Sequence, residues 1–231
     1  MLDKSLPIRF ESLYDWAIKP QKRHSDVKDI TKTSRHIEES FEYYRTNRSK
    51  EFCWSWRKAN DFGWNVLSPV NINLAPFEDF ELPADADQDL LLRFSSSTNY
   101  SQIWNRADSR IAVRGGDWMR AYDFRANGGS LSMFIPNGAG SVEWVLGWRA
   151  LIPEGFVLLF LPHQLSGGSM EVIGGALRGK SLESMAERGV GISIAIKVNA
   201  PIQLSRGDVI GRFLILPEYC LDLVESDAHP N

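Results

Sequence analysis

Four histidines, His24, His36, His163 and His229, are the first candidates for metal or acid–base chemistry in this sequence. No His-x-His pair and no His-Glu-x-x-His run occurs among them, so the spacing of a zinc or cupin-type ligand set is missing. Neither a metal nor a cofactor is expected. His163 follows the apolar run "FVLLFLP" at a strand end, where functional side chains emerge. It is a candidate acid or base, and the plainer alternative is a half-buried loop histidine. Ser141 sits in "GAGSVEW", which is not the Gly-x-Ser-x-Gly nucleophile elbow. Cys53, between Phe52 and Trp54, suits burial better than an activated thiolate.

Glu143 is the second candidate acid or base. It precedes Trp144, so on a strand the two side chains point to opposite faces, and one must leave the core. Tryptophans cluster as Trp54, Trp56 and Trp64, and again as Trp144 and Trp148. Such clusters build hydrophobic cores, and they also wall apolar pockets that hold small organic ligands. Between them, Arg106, Arg110, Arg114, Arg120 and Arg125 alternate with Asp108, Asp117 and Asp123. That pattern gives either ion pairs along a sheet edge or an anion site with Trp118 and Tyr122 as stacking walls. Asn60 and Arg149 complete the expected ligand set: Trp54, Trp56, Asn60, Trp64, Arg114, Trp118, Arg120, Trp144, Trp148 and Arg149. The glycine-bearing segment 162–181, with Glu171, Arg178 and Lys180, is either an anion cradle or an irregular crossover.

The elements that must position these groups are mostly strands. From residue 51 onward, aromatic and β-branched runs of strand length alternate with Gly, Pro, Asn and Asp. "LLLRFSSS", "RIAVRG", "VEWVLGWRALI", "FVLLFLP" and "VIGRFLIL" are examples. In residues 191–199 the apolar Ile192, Ile194, Ile196 and Val198 alternate with Ser193, Ala195, Lys197 and Asn199, the period of a strand with one buried face. Pro153-Glu154-Gly155 reads as a hairpin turn, and so does Ser205 to Asp208; Gly211 reads as a bulge or a close approach. "FEDFELPADADQD" (77–89) reads as an exposed connection, and "SLESMAERG" as a short helix capped by Ser181 and stopped by Gly189. Upstream, Ile37, Phe41 and Tyr44 share one face of an amphipathic helix. The expected class is mainly β: an antiparallel β-sandwich, jelly roll or β-clip barrel with an N-terminal amphipathic helix. The expected division is an extension (1–50), one β-rich domain (51–220) and a tail (221–231).

Composition narrows the function classes. A net charge of −3 gives no global attraction to nucleic acid or anionic membrane. No apolar run reaches the roughly 18 residues that span a bilayer. The start "MLDKSLPIRFESLYDW" carries acids where a signal peptide is apolar. A cytoplasmic protein with two reduced cysteines, Cys53 and Cys220, is expected.

Two family resemblances follow. "IQLSRGDVIGRFLIL" resembles the GD-x-I segment of the dUTPase and dCTP deaminase β-clip, and this implies a strand closing a trimer-forming core. That family's glycine-rich C-terminal arm has no counterpart in "PEYCLDLVESDAHPN". The segments around Ala59, Asn60, Gly63 and Trp64, and around Pro153 and Gly155, resemble an uncharacterised family of bacterial domains. That likeness implies one β-rich domain and a setting in specialised metabolism. The leading expectation is a homo-oligomeric protein that binds a small organic or anionic ligand or acts on it without a metal. A dUTPase-like nucleotide hydrolase and a structural homo-oligomeric assembly protein are the alternatives.

Overall fold

The computed structural model describes residues 8–23, 61–100, 102–106 and 108–221. The expected helix around Ile37 to Tyr44, together with Trp54, Trp56 and Asn60, lies outside the described residues. Strands dominate. The first five are β1 (Arg9–Ser12), β2 (Gln21–Lys22), β3 (Trp64–Leu67), β4 (Ile72–Leu74) and β5 (Phe77–Pro83). Helix α1 (Gln88–Thr98) leads to β6 (Gln102–Asn105), β7 (Ser109–Gly115), β8 (Asp123–Ala126) and β9 (Gly129–Ser132). Then come β10 (Phe134–Gly138), β11 (Ser141–Val145), β12 (Trp148–Leu151) and β13 (Phe156–Leu161). After β14 (His163–Leu165), β15 (Met170–Ile173) and β16 (Gly175–Arg178) comes helix α2 (Gly179–Glu187). The described chain closes with β17 (Ser193–Val198), β18 (Ile202–Leu204) and β19 (Val209–Pro217).

Two five-stranded sheets carry the core, in the orders β10-β11-β17-β15-β14 and β16-β13-β19-β3-β2. A three-stranded sheet β5-β7-β6 and three two-stranded pairs flank them, and none closes into a barrel. The pairings are antiparallel. One buried cluster takes Val142, Trp144, Val172 and Ile196 from the first sheet and Leu158, Phe160 and Phe213 from the second, so the two pack as a sandwich. The period-two pattern of β17 decides its faces: Ile194, Ile196 and Val198 are buried, Ser193 and Ala195 half-buried, and Lys197 exposed.

Aromatic rings knit the second sheet to the start of the chain. Phe213 stacks on Trp64 at 5.5 Å and meets Phe160 and Phe10 edge-on at 5.6 and 5.7 Å. Phe10 in turn meets Trp148 at 5.6 Å, with β1 paired to β12. Gly191, at φ +66°, permits the entry to β17, because a Cβ there would lie 2.6 Å from the Trp148 carbonyl oxygen.

Several local expectations are corrected. "LLLRFSSS" is helical, not extended. Asp87 caps it by accepting from the Leu90 amide at 2.6 Å, and Asn99, at φ +61°, closes the end. The hydroxyls of Ser96 and Thr98 bond back to the carbonyls of Leu92 and Phe94, which occupies side chains that would otherwise compete with the helix. The acidic stretch at 77–83 is strand β5, paired with β7 along its whole length as an edge, where charged side chains are tolerated. Pro153–Gly155 does not join a hairpin, because β12 pairs with β1 while β13 pairs with β16 and β19. Ser205–Asp208 is a true turn, with the Asp208 carboxylate accepting from the Ser205 amide at 2.7 Å. Its two strands, however, pair elsewhere, β18 with β4 and β19 with β3. The β19–β3 register slips between Val209 and Gly211. Helix α2 starts at Gly179 without a side-chain cap, so Ser181 is inside it.

Candidate functional site

Glu143 is the residue around which polar groups converge. On β11 it stands opposite Ile135 of β10 and Ala195 of β17, while buried Trp144 takes the other face. Ser193 is two residues from Ala195 on the same face, and its hydroxyl donates to Glu143 Oε1 at 2.7 Å. Arg106, just after β6, donates to Glu143 Oε2 through Nη1 and Nη2 at 3.2 and 3.3 Å. Its Nη2 also donates to Asn137 Oδ1 at 2.8 Å. Asn137 lies where the β10–β11 register shifts between Pro136 and Gly138, and such a bulge re-aims a side chain.

Three of these residues, Asn137, Glu143 and Ser193, border a cleft of about 240 Å³. Asn137, Glu143 and Ser193 form its polar end, and Phe160, Ile173, Leu177 and Ala195 supply apolar walls. The cleft opens where the chain leaves the first sheet after β15 and joins the second as β16. Gly174 at that crossing packs tightly, since a Cβ there would lie 3.0 Å from the Pro162 ring. The arrangement is a small, largely apolar slot with a preset group of hydrogen-bonding side chains at one end, the composition of a site for a small organic molecule.

His163 does not share this cleft. Register settles the matter: Glu143, Ala195 and Ile173 form one row across the first sheet, whereas Ile196, Val172 and His163 form the next. Adjacent rows point to opposite faces. Burial, then the charges of Arg212 and Arg23, push the His163 imidazole below its ordinary value of 6.5. The two candidate acid–base residues therefore cannot act on one group from the same side.

The remaining expected ligand residues are dispersed. Trp144 and Trp148 are fully buried and belong to the core, Trp144 against Phe134 at 5.0 Å and Trp148 against Phe213 at 5.8 Å. Their size and apolar surface place them in the core between the sheets. Trp64 is half-buried between Phe213 and the ammonium of Lys22, which lies 3.9 Å from its ring. Trp118 donates through Nε1 to the Ala75 carbonyl at 2.9 Å and packs edge-on against Phe134. Arg114 pairs with Glu78 on the exposed β5–β7 surface. Arg120 lies over Trp104 at 5.7 Å. Arg149 donates to Glu11 Oε2 at 2.8 and 2.6 Å, which ties β12 to β1; these bonds, with that from Arg9, hold the Glu11 carboxyl below its usual range. In the 162–181 segment, Arg178 pairs with Glu218 at 3.0 Å.

Of the cleft's polar residues, Asn137 and Ser193 had no sequence signal as site residues, since one reads as a turn residue and the other as the wet side of a strand. Arg106 stood among five arginines with nothing to distinguish it. Among the described residues no group of three or more His, Cys, Asp and Glu could hold a metal ion, and no helix is long and apolar enough to cross a membrane.

No family model and no curated protein matches the chain. Solved structures similar to it are dUTPases of staphylococcal phages. That of Staphylococcus bacteriophage 80alpha is 10% identical over 97% of this chain and 99% of that one, with a TM-score of 0.40. A mutant of it with dUpNHpp is also 10% identical, covering 97% and 90%, with a TM-score of 0.40. A mutant dUTPase from phage phi11 of S. aureus is 11% identical, covering 96% and 97%, with a TM-score of 0.38.

Proposed function

We propose that this chain is a small-molecule binding protein whose ligand occupies the Glu143 cleft. One observation carries the reading: Arg106, Asn137, Glu143 and Ser193, from separate segments of the chain, form one hydrogen-bonded group at the end of an otherwise apolar slot. At about 240 Å³, the slot falls below the roughly 300–1,000 Å³ of drug-sized sites, which favours a small metabolite. The carboxylate and the guanidinium offset each other, so the polar end suits a neutral or zwitterionic group that both donates and accepts. Glu143 is the only acid–base side chain lining the cleft among the described residues, which favours binding over a two-group acid–base reaction.

The test is a thermal-shift screen of the full chain against amino acids, amino sugars, hydroxy acids, nucleosides and nucleotides, dUTP included. A ligand present at about 100 times its Kd stabilises by about 2.7 kcal/mol, a rise of roughly 5–10 °C for a chain of this size. Ala195→Leu projects onto the face that carries Glu143 and fills the slot, so a genuine hit disappears in that variant. Hits retained in full by Ala195→Leu, or no hit across the panel, would refute the reading.

A further inference from the structure

A second group of side chains, independent of the cleft, faces a different ligand chemistry. Arg212 lies on β19, directly opposite Asn65 of β3 on one side and Leu161 of β13 on the other. It is half-buried, its Nε is shielded from solvent and has no hydrogen-bond partner, and it forms no ion pair among the described residues. Asn65 Oδ1 beside it is likewise buried and without a partner. A shielded guanidinium donor beside a shielded carbonyl acceptor, neither with a hydrogen-bond partner, is a costly arrangement.

Two more nitrogen groups converge there. Arg23 follows β2, whose Gln21 and Lys22 pair with Asn65 and Trp64. Burial, then the Arg212 charge, lower the proton affinity of Arg23, while Asp61 raises it. His163, from the β13–β14 junction, is depressed first by burial and then by Arg212 and Arg23. Arg212 and Arg23 thus repel one another and the imidazole, while Asp61 acts on Arg23.

We propose that Arg212, Arg23, His163 and Asn65 form an oxyanion site for hydrogen phosphate, free or as the terminal group of a small molecule. Phosphate oxygens suit the planar guanidinium fork. The remaining P–O–H supplies the one donor that Asn65 Oδ1 lacks, and a sulfate dianion has no such hydrogen. A bound anion also offsets the two guanidinium charges, so His163 gains a proton more readily when the site is full.

The experiment uses the full chain in phosphate-free buffer near pH 6.5. Inorganic phosphate, sulfate, ribose 5-phosphate and, at matched ionic strength, sodium chloride are titrated in turn. Thermal unfolding and the NMR titration of the His163 ring proton, assigned with His163→Asn, are the readouts. Phosphate should give a saturable rise in Tm that sulfate reproduces weakly and chloride does not, and it should move the His163 midpoint upward. Arg212→Gln should weaken phosphate binding about tenfold or more, the loss expected for a hydrogen bond to a charged group. Arg212→Lys, which keeps the charge without the fork, serves if the first variant does not fold, and it should also bind more weakly. Tighter binding of ribose 5-phosphate than of phosphate identifies an organic ligand, and the reverse identifies the free ion. Equal responses to phosphate, sulfate and chloride, an unmoved His163 midpoint, or phosphate affinity kept in both Arg212 variants would each overturn the assignment. So would a high-resolution structure at saturating phosphate with only a water bridging Arg212 Nε and Asn65 Oδ1.

Discussion

Whether the polar end of the Glu143 cleft is preformed can be measured without knowing the ligand. The perturbation is a double-mutant cycle of Glu143→Gln and Arg106→Gln, read by urea denaturation. Both guanidinium nitrogens reach the same carboxylate oxygen, at 3.2 and 3.3 Å, so the pair lacks the two parallel short bonds of a full fork. The side chains are 29% and 26% exposed, between the surface and buried extremes. Exposed pairs couple by about 0.2–1 kcal/mol, and breaking a fully buried pair costs about 3–5 kcal/mol. Long bonds and quarter exposure place this coupling at the top of the exposed range, about 1 kcal/mol, and well below the buried one. With an m-value of about 1–3 kcal/mol/M, each such increment moves the urea midpoint by roughly 0.3–1 M, which is measurable. Ser193→Ala, which removes the 2.7 Å donor to the other oxygen, should cost about 1–2 kcal/mol by itself. A coupling below about 0.3 kcal/mol would mean that Arg106 is not held by Glu143. The cleft would then have no preset polar end, and the proposed function would lose its geometric support.

Three further outcomes are expected. Phe213→Ala, at the centre of the ring cluster, should destabilise by about 3–5 kcal/mol by urea denaturation, whereas Phe213→Leu should cost much less. Gly191→Ala should cost about 2–4 kcal/mol, because it combines a left-handed backbone with a carbonyl that cannot retreat, and a cost under about 1 kcal/mol would contradict that packing. His163 has a folded-state value below 6.5, so on acidification the unfolded chain takes up its proton first. Its contribution to stability is present above pH 6.5 and is lost as pH falls through the folded value. Relative to His163→Asn in phosphate-free buffer, the wild-type protein should lose stability across that window, as followed by chemical denaturation at successive pH values.

The strand character of the chain was legible wherever one face is buried, because alternation then survives in the sequence. β17 is the clearest case, and the opposition of Glu143 and Trp144 follows from the same parity. What parity could not supply is the partner. Arg106 and Ser193 reach Glu143 across 37 and 50 positions, and neither carries a local signal of that contact. The hairpins expected at Pro153–Gly155 and Ser205–Asp208 failed for a related reason. Turn chemistry reports how the backbone reverses, while strand pairing depends on which apolar faces meet across the sandwich. "LLLRFSSS" misled because its apolar run suits either element, and the deciding residues, Asp87 and Asn99, lie outside it. The pairing of Glu143 with His163 as candidate acid–base groups dissolved on register alone.

The contact between Phe10 and Phe213 has a consequence for how the protein is made. These rings touch although they stand about 200 positions apart, and such long-range contacts slow folding. During synthesis at about 5–20 residues per second, the first strand must wait roughly 10–40 seconds for its partner to emerge. Until then Phe10, Trp64 and Trp148 lack the ring that shields them. The nascent chain thus carries exposed aromatic surface until β19 has been translated, and this part of the core closes only then rather than progressively.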